Sequence, residues 1–196
     1  MGFNKYSRLV LVACAGLLLS ACSFRSGELP NNFAWPPASA APKAVQFKLR
    51  AVETSNGELY IYGSDEATWR KDIRREFLAS GLFSAVDEQT DRSPSAHALV
   101  EVVGRDDFTY SPVLSQLNQS TFFIVPDRSC HNYTLTMTFK DAGGKVLGTI
   151  EKREKVVYWS QIALLPFSPF TLTVRRKVRA DLIRSTLAEA RQLGYL

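Results

Sequence analysis

The sequence predicts an α+β fold, a mixed or antiparallel sheet of about four to five strands with two helices packed on one face. Three observations carry this. "VQFKLRAV" at residues 45 to 52 alternates apolar and polar side chains. Two segments, one on either side of the chain's middle, repeat apolar residues at helical spacing. Between them "YTLTMTF", "DAGGK" and "VLGTIEKREKVVYW" read as one long hairpin.

Taken in order, Val45, Phe47, Leu49 and Ala51 share one face of the first strand, and Gln46, Lys48 and Arg50 share the other. After the turn-like "SNG", the short "ELYIYG" reads as a second strand or a pairing extension. Ser64 followed by Asp65 and Glu66 is an N-cap with acids in the first turn, so a helix starts there. Its apolar face holds Trp69, Ile73 and Phe77; Arg70, Lys71, Arg74 and Arg75 take the other side. Gly81 and Leu82 mark its end, and "GLFSAV" returns the chain to the sheet. Residues 87 to 95 read as a polar loop and 96 to 104 as a strand. "GRDDFTYSP" then reads as a solvated loop, and "TFFIVP" at 121 to 126 as a short strand or an apolar loop. In the hairpin, Tyr133, Leu135, Met137 and Phe139 alternate with threonines. The closing helix spans about Thr173 to Leu193, with Val174, Val178, Leu182, Ile183, Leu187 and Ala190 along one stripe and Gly194 ending it.

The amino end reads as an address. Lys5 and Arg8 precede an apolar run, Leu9 to Leu19, that is too short to span a bilayer and ends in small residues. The last four residues of "LLSAC" resemble the lipobox of bacterial lipoproteins, which makes residues 1–21 a signal peptide and Cys22 the anchor. The resemblance implies a diacylglyceryl group on the Cys22 sulfur and an acyl chain on its amine, with no other cofactor. An ordinary cleaved signal with an incidental cysteine is the alternative. Ser23 stands where an aspartate would signal inner-membrane retention in that family, so the resemblance implies the periplasmic face of the outer membrane. Residues 22–44 carry four prolines and little periodicity, the composition of an extended tether. Residues 45–196 form the periplasmic α+β domain.

Such a signal would take Lys5 and Arg8 with it, lowering the +5 formal charge of the chain by two. A pI near 9.2 from scattered cations does not argue for nucleic acid. Cys14 would leave with the signal and Cys22 would be acylated, so Cys130 is left without an intramolecular partner. The "FLASGLFSAV" helix end, the strand after it, the Tyr-initiated hairpin with "DAGGK" and the closing helix resemble small periplasmic lipoproteins whose domain is similar to the TolB N-terminal or CsgG-like α/β fold. That resemblance implies an accessory role in envelope transport or assembly.

Chemistry finds little support in the sequence. His97 and His131 are the only histidines, and no metal-binding spacing joins them to Cys130, so no metal is expected. Cys130 and His131 are neighbours, and neighbours rarely form the hydrogen bond that a nucleophilic dyad needs. Asp106 and Asp107 read as a solvated acidic pair. There is no phosphate loop, and "DAGGK" suits a hairpin turn better. The expectation is therefore not an enzyme.

What remains is surface, above all "IALLPFSPFTLTVRRKVR". Pro166 and Pro169 break the apolar run before the helix, and Arg175, Arg176, Lys177 and Arg179 follow it. Leu164, Leu165, Phe167 and Phe170 with those four cations are the candidate contact for a membrane or partner; core, or a plain solvated face, is the alternative. The function expected is a membrane-anchored, non-enzymatic periplasmic lipoprotein that binds or positions another envelope component. The alternative is an auxiliary of an envelope lipid or solute transport system, holding a small apolar ligand between sheet and helices.

Overall fold

The computed structural model describes residues 24–25, 29, 42–60, 66–88, 98–161 and 168–196. Among them the elements run β1 (Phe24–Arg25), β2 (Lys43–Ser55), β3 (Glu58–Leu59), α1 (Glu66–Ala79), β4 (Phe83–Glu88) and β5 (Ala98–Tyr110). They continue as α2 (Pro112–Ser120), β6 (Asp127–Asp141), β7 (Val146–Ser160) and α3 (Ser168–Gln192). Cys22, Ser64, Asp65, His97, Leu164, Leu165 and Phe167 lie outside the described residues.

The sheet has the order β1-β7-β6-β5-β2-β3, and β4 joins β2 on the β3 side. β2 runs parallel to β4 and β5, and the remaining pairs are antiparallel. The class is the expected α+β with a mixed sheet. The expected four to five strands become seven because the two-residue β1 and β3 extend its edges. α1 and α3 do share one face of the sheet. The third helix, α2, was not expected; Ser111 caps it, its hydroxyl accepting from the Leu114 amide at 3.4 Å, and Pro112 supplies a favourable first turn.

The alternation read in β2 and β6 is the one that folds. Val45 and Phe47 join Val100 and Val102 of β5 and Tyr133, Leu135, Met137 and Phe139 of β6 in the core, under Trp69, Ile73 and Phe77 of α1 and Val178, Leu182, Ile183 and Leu187 of α3. Burying each such side chain contributes roughly 1.5–3 kcal/mol. At Gly104 of β5 α1 comes close to the sheet, since a Cβ there would meet Trp69 Cε2 at 2.8 Å. Both glycine helix ends hold. Gly81 has φ 66°, and Gly194 has φ 75° with the Tyr195 amide donating to the Ala190 carbonyl, a Schellman closure.

Two expectations are corrected. Asp106 and Asp107 are not in a loop. β5 continues through them to Tyr110, paired with β6, because Asp106 meets His131 inside and Asp107 meets Arg105 and Thr54 outside. α3 begins at Ser168 rather than Thr173, since Pro169 falls in the first turn, where its missing N–H costs nothing. Of the two readings of 121–126, the loop is the one that folds, a turn with Phe122 and Phe123 at φ 50° and 64°.

Part of the presumed tether also belongs to the folded body. Phe24 and Arg25 pair with Val157 and Val156 on the edge of β7, and Leu29 is buried in the core.

Candidate functional site

The core face of the sheet changes character along its length. Up to the Leu135 level its buried side chains are apolar; beyond it, register brings Asp106 opposite Tyr133 and Tyr133 opposite Glu154, then His131 opposite Val156 and Ser129 opposite Tyr158. Because side chains alternate along strands, these polar groups share the face that α3 covers. The result is a buried polar cluster under the amino half of α3.

His131 Nδ1 lies 3.0 and 3.1 Å from the two oxygens of Asp106, a diagonal cross-strand pair. The imidazole stacks between Phe108 and Tyr133 and meets the edge of Tyr158 at 4.9 Å. The Arg175 guanidinium sits over the Tyr158 ring at 5.3 Å. Burial pushes the Tyr133 phenol far above the ordinary tyrosine range, and the Asp106 charge pushes it the same way. Burial also raises Tyr158, against the lowering pull of Tyr133 and Arg175. For Arg175 burial opposes the charge, but Tyr133, Tyr158 and Asp106 outweigh it and raise its pKa.

Deeper along α3, Arg25 of β1 bridges Glu154 at 3.3 Å and Asp181 at 2.6 Å, and Glu154 also accepts from the Leu29 amide at 3.2 Å. Arg179 donates to Asp72 of α1 at 2.8 Å and lies over the Trp69 ring. The cluster thus ties β1, β7, α1 and α3 together through charge.

The structure divides the candidate contact residues. Arg179 is buried inside the fold, Arg175 is half-buried against Tyr158, and Arg176 and Lys177 are exposed. Phe170 lies within α3. Since α3 starts at Ser168, Arg175 comes after two helical turns, and these cations escape the amino-terminal dipole penalty, which fades within the first turn.

Chemically, Asp106 can hold the His131 ring in one tautomer and orientation. A nucleophile would have to complete the arrangement, and Cys130, the next residue along β6, points to the opposite face. Among the described residues no three His, Cys, Asp or Glu side chains come together to hold a metal ion. A cavity of about 230 Å³ near the carboxyl end of α3 is lined by Lys43, Phe83, Lys140, Arg191 and Tyr195, among others. It is smaller than the roughly 300–1,000 Å³ of typical ligand pockets.

Tyr133 also provides a test of this geometry. The Tyr133 and Tyr158 hydroxyls lie close enough to shift one another's titration, yet neither meets a partner with full hydrogen-bond geometry among the described residues. Tyr133→Phe should therefore change stability near neutral pH by no more than about 1 kcal/mol. At alkaline pH the sign is fixed. The unfolded chain ionises this phenol near pH 10 while the folded chain keeps it neutral, so its contribution is full below about pH 10 and is lost above it. The variant should lose that part of the alkaline slope in denaturant melts. A large loss at neutral pH would show that the hydroxyl is bonded.

No family model matches the chain, and no curated protein matches it. Solved structures similar to it include a PelC dodecamer from Paraburkholderia phytofirmans, at 13% identity over 85% of this chain and 95% of that one with a TM-score of 0.38. A Xanthomonas campestris protein of the DUF330 family model aligns at 14% identity over 83% and 94%, with a TM-score of 0.42. A minor lipoprotein from Acinetobacter baumannii aligns at 10% identity over 72% and 87%, with a TM-score of 0.34. No residue role is carried from them to this chain.

Proposed function

We propose that the chain is a lipid-anchored periplasmic protein, held at the outer membrane through Cys22, that binds or positions another envelope component without catalysing a reaction. The observation that carries this is the "LSAC" sequence standing two residues before β1. Each buried methylene contributes about 0.8 kcal/mol, so three acyl chains on one cysteine make detachment negligible. Among the described residues no helix is long and apolar enough to cross a membrane.

The polar cluster suits this role as a means of holding shape, because its charges face one another instead of an open cleft. The apolar-ligand alternative is less favoured, since core side chains fill the space between the sheet and its two covering helices.

Cys22→Ser is the test. The variant should move from the membrane pellet to the soluble fraction and lose labelling by radioactive palmitate. Continued labelling would overturn the anchor.

A further inference from the structure

We infer that the end of the sheet carrying α2, the 121–126 turn and the close of β7 lies directly on the phospholipid surface, so that the domain is seated on the membrane and not swung from a tether. The inference rests on the reading of Cys22 as the lipid anchor.

The first observation is one of reach. β1 pairs Phe24 with Val157, three residues before the end of β7. Two residues span at most about 7 Å, so Cys22 cannot lie farther than that from Phe24. Lipid on Cys22 therefore enters the bilayer beside this end. The hairpin turn at the other end of β7 is eleven residues from Val157, roughly 36 Å away at 3.3 Å per residue.

The second observation is what this end exposes. Val113 and Leu117 on α2 are 67% and 46% exposed, Phe122 and Ile124 in the turn are 78% and 64% exposed, and Trp159 on β7 is 37% exposed. They are held in one structure. The Asn118 amide of α2 donates to the Val125 carbonyl at 2.6 Å and to the Ser160 carbonyl at 3.0 Å, which joins helix, turn and strand end. Among the described residues the far end exposes Val146, Leu147 and Leu193, but no large aromatic. Exposed aromatic and aliphatic side chains gathered beside a lipid anchor match the chemistry of a bilayer interface.

The backbone supplies an independent sign. Phe122 and Phe123 both occupy the left-handed region, which bulky residues rarely enter, and this turn holds Phe122 in solvent. The Phe122 amide donating to the Gln119 carbonyl at 3.1 Å and the Phe123 amide donating to the Asn118 carbonyl at 2.7 Å hold this turn, and it leaves the Phe122 ring outward, where lipid could take it up. Cations complete the surface. Arg128 lies over the Trp159 ring, and Arg176 and Lys177 are exposed on the part of α3 that follows Arg175 at the Tyr158 level. They are suited to headgroup phosphates.

The test uses the full chain, lipidated in cells and reconstituted into phosphatidylethanolamine and phosphatidylglycerol vesicles. With Cys130→Ser and Ile124→Cys carrying an environment-sensitive fluorophore, a doxyl-labelled lipid should remove roughly half of the emission, as expected for side chains about 5–10 Å into the interface. The same label at Lys145→Cys should be left nearly unquenched. Hydrogen exchange on the unsubstituted chain gives a reading free of folding effects: the 121–124 amides should slow several-fold on vesicles relative to Cys22→Ser in buffer, and the 142–145 amides should not. Co-flotation with an unquenched 124 label and unprotected 121–124 amides overturns the seated domain and leaves the anchor standing. Failure to float with the vesicles overturns both.

Discussion

Asp72→Ala should destabilise the domain by about 3–5 kcal/mol, the usual consequence of removing one partner from a buried ion pair. Asp72 is 2% exposed on the inner side of α1, and its two oxygens receive Arg75 at 2.9 Å and Arg179 at 2.8 Å. Arg179 belongs to α3, so the carboxylate joins the two covering helices. Arg75 shows the same field: burial opposes its charge, yet Glu76 and Asp72 raise its pKa on balance. Taking away Asp72 removes a buried carboxylate from Arg179 and leaves Arg75 with Glu76, which it meets at 2.8 Å. Total stabilities run at about 5–15 kcal/mol, so a loss of this size would unfold a large share of molecules on modest warming. Chemical denaturation of the variant is the measurement. A loss below about 1 kcal/mol would mean that Asp72 behaves like an exposed pair such as Arg153 with Glu151, for which the expected value is near zero to 1.

That buried charge shows where the sequence is readable and where it is not. Periodicity finds β2, β6 and the apolar face of α1, because Phe47, Leu135 and Ile73 repeat at the period of their element. Asp72 and Glu76 fall three residues after Trp69 and Ile73, on the flank of the same face. Nothing local marks them as buried, because the arginines that neutralise them, Arg179 and Arg184, come from more than 100 residues away. Glu154 was a sharper clue, sharing the parity of Ile150, Val156 and Tyr158 in β7, which places a carboxylate in the core. His131 likewise shares the parity of Tyr133 and Leu135. What no local pattern contains is Asp106 meeting His131, since only the β5 and β6 register brings them together. β1 escaped for a different reason. Two residues amid a proline-rich composition give no period, and only the open edge of β7 and the Glu154 and Asp181 charges select them.

Trp69→Ala should also cost about 3–5 kcal/mol, the range for removing a large buried aromatic side chain. Trp69 is 1% exposed, and it does more than fill space. Its ring rests on Gly104 of β5 from one side and carries the Arg179 guanidinium at 5.7 Å on the other. The absence of a side chain at Gly104 is therefore what lets α1 approach the sheet. Gly104→Ala should cost about 1–3 kcal/mol, because its Cβ would stand 2.8 and 2.9 Å from Trp69 ring atoms in a strand that has little freedom to shift. The two changes must not add. With Trp69 cut back to alanine, the alanine at 104 meets no indole and occupies part of the vacated volume, so the double variant should recover about 0.5–3 kcal/mol of the summed losses. Strict additivity in equilibrium unfolding would show that the glycine is not there for Trp69. Coupling would place the contact between α1 and β5, together with the Asp72 and Arg179 pair beside it, at the centre of what holds the helices on the sheet.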